Sequence, residues 1–254
     1  MAGDVAKLQP QAPEIHSFTI SGAVTSNAPI VTEKAFDEYH LYNLPLPTTL
    51  HDRETKQVEF VRASGVQSQR IYVYDGVKID PNRYRGWNMD SIRNDRDYGT
   101  QSNPKVWVMR EFKNSEANHL GIPLPRGRVR FYRQETDGRL QFVGEDLIDH
   151  TPKDELVRVN TGNAFDLAGE RRRTNFKTDT SNHWMDESFE IKVRNHKKEP
   201  VEIQVVEHLY RWTNWEIREP SPTFTKTDAQ TIEFRVPLKP DQEGVVTYTV
   251  HYSW

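Results

Sequence analysis

Apolar and polar residues alternate along much of this chain. In Phe189-Glu190-Ile191-Lys192-Val193-Arg194 three apolar side chains fall on one side of an extended backbone and three charges on the other. That period of two marks a strand with one dry face and one wet face. Val201/Ile203/Val205, Ile232/Phe234/Val236 and Val246/Tyr248/Val250/Tyr252 repeat the pattern, and upstream Phe18/Ile20, Val106/Val108, Val129/Phe131 and Val157/Val159 do likewise. No window with helical spacing outscores these runs. Turn signals stand between them. Asp137-Gly138 separates Val129–Arg133 from Leu140–Val143 and predicts a hairpin. Asn195–Pro200 and Asp241–Gly244 each end one run and open the next.

Short strands joined by turns, with no helices between, predict an all-β protein of antiparallel β-sandwich architecture. Residues 1–34 are expected to form a tail and first strand, and residues 35–183 a larger β-sandwich lobe. Residues 184–254, with at least four alternating runs, are expected to form an immunoglobulin-like sandwich. Composition strengthens the β assignment. Val and Ile together number 34 against 13 Leu, and β-branched side chains favour a pleated surface over a helix. Residues 75–104 break the rhythm. This long loop holds Arg83, Tyr84, Arg85, Trp87, Met89, Arg93, Arg96 and Tyr98, and Arg, Tyr and Trp dominate binding hot spots. Either it folds its aromatics back onto the sandwich as an Ω-loop, or Arg83, Tyr84, Arg85, Trp87, Arg93 and Tyr98 form an interaction surface.

Charge removes several functions. With 34 Lys and Arg against 37 Asp and Glu, the chain lacks the clustered cation excess of a nucleic-acid binder. It has no Cys, so disulfides, thiolate metal sites and thiol nucleophiles are excluded. No apolar run reaches the roughly 20 residues of a transmembrane helix. Met1-Ala2-Gly3-Asp4 lacks the basic start of an export signal, and residues 8–13 are polar and broken by proline.

The best candidate for chemistry is Glu145-Asp146-Leu147-Ile148-Asp149-His150. Glu145, Asp146, Asp149 and His150 would serve a hydrolase, carbohydrate-active for example, through a divalent metal or a carboxylate acid/base pair. They must first converge, and on a strand Glu145 and Asp149 face away from Asp146 and His150. A capped turn before Thr151-Pro152 explains the same acids without catalysis. Arg171-Arg172-Arg173 with Asn175 and Lys177 would grip phosphate or sulfate. Arg126, Arg128, Arg130 and Arg133 instead read as the wet side of a strand, paired with neighbouring carboxylates. Ser102 and Ser181 lie outside any nucleophile elbow, and no phosphate loop or dinucleotide fingerprint occurs. No cofactor or metal is therefore assigned. Trp184, Trp212, Trp215 and Trp254 are either a carbohydrate-stacking platform or core.

Several segments read together as a family likeness. They are Phe36–Tyr42 with Leu44-Pro45, Thr49–Val58, Leu120–Tyr132, Gly144-Glu145-Asp146, Ile148–Pro152 and Gly162–Leu167 with Glu170-Arg171. Their order resembles the C-terminal domain of the mucoidy-inhibitor-A-like family of bacterial envelope proteins, a domain without an assigned function. The likeness runs from about Phe36 to Trp254 and is most specific between Pro123 and Arg171. It implies a β-sandwich-rich module placed outside the cytoplasm, in the periplasm or at the cell surface, and it brings no catalytic residues. The usual N-terminal β and coiled-coil half and a leader do not occur in this chain, which is read as an excised piece or a stand-alone version. Residues 75–104 are longer than the family's connection there, so a partner specific to this member would dock on them. The expected function is a non-enzymatic interaction or structural module of the envelope. A protein partner or self-association through exposed strand edges is expected. The rivals are the hydrolase above and a self-assembling structural subunit.

Overall fold

The computed structural model describes residues 31–44 and 47–254. The Phe18/Ile20 alternation and most of the expected tail lie outside the described residues. The chain is all-β. It begins with a hairpin of β1 (Thr32–Phe36) and β2 (Tyr39–Asn43), followed by β3 (Gln69–Asp75). The long loop contains a single short helix, α1 (Met89–Asn94). Next come β4 (Lys105–Lys113), β5 (Gly127–Gln134), β6 (Leu140–Ile148) and the 24-residue β7 (Leu156–Asp179). The last third holds β8 (Trp184–Asn195), β9 (Val201–His208), β10 (Trp215–Ser221), β11 (Phe224–Lys226), β12 (Thr231–Leu238) and β13 (Gln242–Ser253).

Two compact units divide the chain. The first, called the sheet unit, comprises Arg70–Met109 and Asn160–Trp254. The second, the hairpin unit, comprises Arg110–Val159 and the described residues up to Gln69. The boundary expected between residues 183 and 184 is not where the chain divides. A cut there would part β7 from β8, which pair continuously from Leu167↔Asn195 to Asp179↔Trp184.

Nine strands form one sheet in the order β10-β13-β8-β7-β4-β3-β9-β12-β11. Alternation works as expected in it: along β8 every second residue from Met185 to Asn195 is buried. The sheet is mixed rather than purely antiparallel, because β3 runs parallel to β9 with Tyr72 beside Ile203 and Asp75 beside Val206. Strands β12 and β13 stand six places apart in the order, about 29 Å on a flat sheet. Yet the Phe234 and Tyr248 rings stack with centroids 5.6 Å apart. A Cβ on Gly244 would also come within 2.6 Å of a Val236 methyl. The sheet therefore bends over on itself and closes a sandwich core around Ile191, Val193, Ile203, Val205, Phe234 and Val250. Burying each such side chain stabilises the fold by about 1.5–3 kcal/mol.

The hairpin unit is built differently. Among the described residues the β1–β2 and β5–β6 pairs are each sheets of two strands. The expected Asp137-Gly138 hairpin joins β5 to β6, closed by Glu135 N donating to Arg139 O at 2.8 Å. Its core is small: Phe112, Leu124, Ile148, Val157 and Val159, flanked by half-buried Phe60, Val61, Val129 and Phe131. Buried asparagines do much of the tying. Asn114 Nδ2 donates to the Ile122 and Pro152 carbonyls, and its Oδ1 accepts from Gly121 N. Asn118 does the same for Gln67 N, Gln67 O and Lys113 O.

Candidate functional site

The acidic cluster of β6 does not converge. Glu145 is buried and receives Arg128 Nη1 and Arg130 Nε, each at 3.0 Å. Cross-strand pairing of Arg130 with Glu145 explains this, since opposite residues on paired strands share a face. Asp146 accepts from Leu147 N, while Asp149 and His150 are exposed beside Arg126. No group of three or more His, Asp or Glu is placed to hold a metal ion among the described residues. A hydrolase built on Glu145, Asp146, Asp149 and His150 loses its geometric basis.

The chain's polar density lies elsewhere, under the long loop. Residues 76–104 form a strap held on the sheet unit by arginines. Arg211 fills its five donors: Nε and Nη2 grip both Glu187 oxygens at 2.9 and 3.0 Å, and Nη1 donates to Ile92 O at 2.6 Å and Asp95 O at 2.7 Å. Its Nη2 also reaches Tyr98 O at 3.0 Å. The guanidinium thus caps the carbonyl end of α1, where the helix dipole is negative. Arg171 Nε meets both oxygens of Glu207 at 2.9 Å, and its Nη1 donates to Gly99 O at 2.7 Å. Tyr248 closes this group with a short hydroxyl bond to Glu207. Arg173 adds a second cation to Glu187 at 3.1 Å.

Sequence phase puts these groups inside. Glu187 continues the buried face Met185-Phe189-Ile191, Glu207 continues Ile203-Val205, and Arg171 continues Leu167-Gly169. The ions are buried because the strands that carry them are. Two buried guanidiniums, Arg171 and Arg211, and the half-buried one of Arg173 face two carboxylates, and the strap's carbonyl dipoles take up further donors of Arg171 and Arg211. Burial opposes the charge on Arg171, yet the Glu207 carboxylate beside it holds its pKa above the ordinary value. Burial drives the Tyr248 hydroxyl well above its usual pKa, helped by Glu207, and Tyr252 likewise, helped by Glu187. At the strap's root His208 Nε2 lies 3.0 Å from Asp75 Oδ2 and Nδ1 lies 3.3 Å from Thr231 Oγ1, with Tyr210 stacked flat on the ring. The Asp75 hydrogen bond raises the His208 pKa against the pull of desolvation. The cleft between strap and sheet is about 20 Å3, room for about one water molecule.

The six loop residues expected to form an interaction surface have divided roles. Tyr84 packs edge-on against Trp87 and Tyr98, at 5.1 and 4.9 Å between centroids, and Tyr98 lies beneath Arg211. Arg93 sits 4.3 Å from the Trp212 ring and 4.7 Å from the Trp254 ring. Arg83, Arg85 and Trp87 are exposed. Aromatics folding back onto the loop and the sheet match the Ω-loop alternative. Arg171-Arg172-Arg173 is not a free anion grip: the three pair with Glu207, Glu190 and Glu187 in turn. Nor do the tryptophans form an open platform, since Trp184 stacks on His251 and Trp215 carries Lys226. Glu187, Glu207, His208 and Arg211 were missed from sequence. A charge occurring in the apolar phase of an alternating run was the available signal.

No helix among the described residues is long and apolar enough to cross a membrane. Set against known proteins, the chain matches no family model, no curated protein sequence and no solved structure.

Proposed function

We propose that the chain is a non-enzymatic interaction module of the cell envelope whose hairpin unit binds a protein partner by strand addition. One observation carries this: among the described residues β5 and β6 form a two-stranded sheet that bares Tyr132, Leu140 and Leu147 at 53, 66 and 51% exposure. Isolated two-stranded sheets are marginal in water, and their unpaired edges accept a further strand. Tyr39 and Leu41 repeat the situation on β2. Placement in the envelope follows the resemblance to the mucoidy-inhibitor-A-like domain between Phe36 and Trp254.

The test is light scattering and surface-immobilised binding against fractionated envelope proteins, comparing the native chain with Tyr132→Ser/Leu140→Ser. Substitution at these exposed sites should leave stability within about 0.5 kcal/mol and abolish a saturable interaction with an identified partner. A native chain that binds nothing, or a variant that binds equally well, overturns the proposal. Association of the native chain only with itself redirects it to the self-assembling subunit.

A further inference from the structure

We propose that Trp212 and Trp254 form a cleft for an arginine side chain of a protein partner, held shut in this structure by the chain's own Arg93. The site belongs to the sheet unit and is independent of strand addition on the hairpin unit.

The guanidinium of Arg93 lies within 4.7 Å of both indole centroids. A cation between two tryptophan faces is the arrangement by which proteins recognise cationic ligands, and Trp is the strongest ring for it. Both indoles are half-buried at the margin of the main core, so the pair is fixed by packing before any ligand arrives. The Trp254 backbone is anchored as well, its N–H donating to His183 O at 2.9 Å.

The element that supplies Arg93 has little packing of its own. Helix α1 has six residues, none of them buried, far below the roughly 12–15 residues at which an isolated helix becomes stable. Its flanking glycines, Gly86 and Gly99, adopt φ of +79° and +67° with nothing within 4 Å of where a Cβ would stand. They are left-handed joints on either side of α1, Gly86 with no side chain to restrict it and Gly99 with its carbonyl tied to Arg171. Two arginines therefore decide whether α1 is docked: Arg93 entering the tryptophan pair, and Arg211 gripping the helix's carbonyl end. Asp90 pairs with Arg93 while remaining 73% exposed. In Arg93→Ala, with α1 still held by Arg211, that carboxylate is available to an incoming guanidinium. Arg93 is thus an internal stand-in for the ligand. Because the docked strap predominates, the native chain binds an external arginine more weakly by the factor that expresses its closed fraction.

The experiment uses the full chain and its Arg93→Ala variant, with Arg93→Gln as a second variant that keeps part of the stem. The probes are N-acetyl-arginine amide and its neutral isostere N-acetyl-citrulline amide. The readouts are tryptophan fluorescence and the indole N–H resonances of Trp212 and Trp254. Both variants should shift these two resonances saturably with the arginine probe, at least about tenfold more tightly than the native chain does. The citrulline probe should leave them unmoved. A folded variant that does not respond, an equal response to citrulline, or a native chain that binds as well as the variants each overturns the proposal. None of these outcomes depends on β5 or β6, so strand addition stands or falls separately.

Discussion

The sheet unit and the hairpin unit solve the same problem with unequal means. The first hides twenty large apolar side chains in one core among the described residues, the second five. In the sheet unit, strands of 8–12 residues pair along their length. The hairpin unit relies on two-stranded sheets and on asparagine amides that replace ladder hydrogen bonds. The buried ions differ in number: Arg171, Glu187, Glu207 and Arg211 meet in the sheet unit, whereas among the described residues of the hairpin unit Glu145 is the one buried ion, beside the buried amides of Asn114 and Asn118. A unit with a surplus of core can bury charges and hold a strap with them. A unit short of core leaves apolar side chains outside, where a partner can cover them.

The sharpest way to break this contrast is at the buried ions. Glu207→Ala leaves Arg171 without its carboxylate, and urea unfolding should show a loss of about 3–5 kcal/mol. Arg171→Met/Glu207→Leu should recover most of it, because removing both partners leaves no orphan charge. A single variant that costs nothing would mean the pair is solvated after all. Core truncation comes next. Ile191→Ala in the sheet unit should cost about 3–5 kcal/mol, whereas Ile148→Ala in the hairpin unit should fall near 2 kcal/mol, since its half-buried surroundings relax more easily. Native-state hydrogen exchange should agree, with β8 and β13 amides slower than those of β5 and β6.

How much of this was legible beforehand depends on the neighbours each residue needed. Phe189, Ile191, Val193, Ile232, Phe234 and Val250 announce their face within a few residues, and all are buried. Period-two alternation is local information. The pairing of β3 with β9 is not, because its two halves are far apart in the chain and no turn chemistry links them. For the same reason the division into units escaped notice: each is assembled from separated stretches. The candidate site was less legible still. Arg171 and Glu207 meet only once the sheet has bent, and the roles of Arg93 and Arg211 exist only with the strap in place. Glu145 shows the converse: its sequence neighbours advertise chemistry, but a cross-strand pair of arginines takes the carboxylate.

Two smaller effects sharpen the account of the strap. Arg211→Lys keeps the charge but loses the planar fork that serves Glu187 and three strap carbonyls together. It should cost about 2 kcal/mol and hasten tryptic cleavage after Arg83 or Arg85. Unchanged cleavage would show that the strap is held by other contacts. The smallest effect is electrostatic. His208 faces Asp75, Glu207 and Asp228, with the Tyr210 ring on its flank. Its raised pKa means that the contribution is complete below pH 6.5, the ordinary value, and disappears as pH rises through the folded value. The stability gap between the native chain and His208→Gln should therefore narrow on going alkaline. It should stay below about 1 kcal/mol for so accessible a pair. A gap that widens with pH contradicts the assignment.

The parallel contact between Asp75 and Val206 has a consequence for the order of events at the ribosome. At the usual rate of chain growth, β3 emerges on the order of ten seconds before the strand it lies beside. Throughout that interval Tyr72 and Tyr74 have no final resting place, and the whole hairpin stretch from Arg110 to Val159 is translated in between. Biogenesis of the larger layer is thus obliged to be late and nearly simultaneous, closing only when the last third of the polypeptide has been delivered.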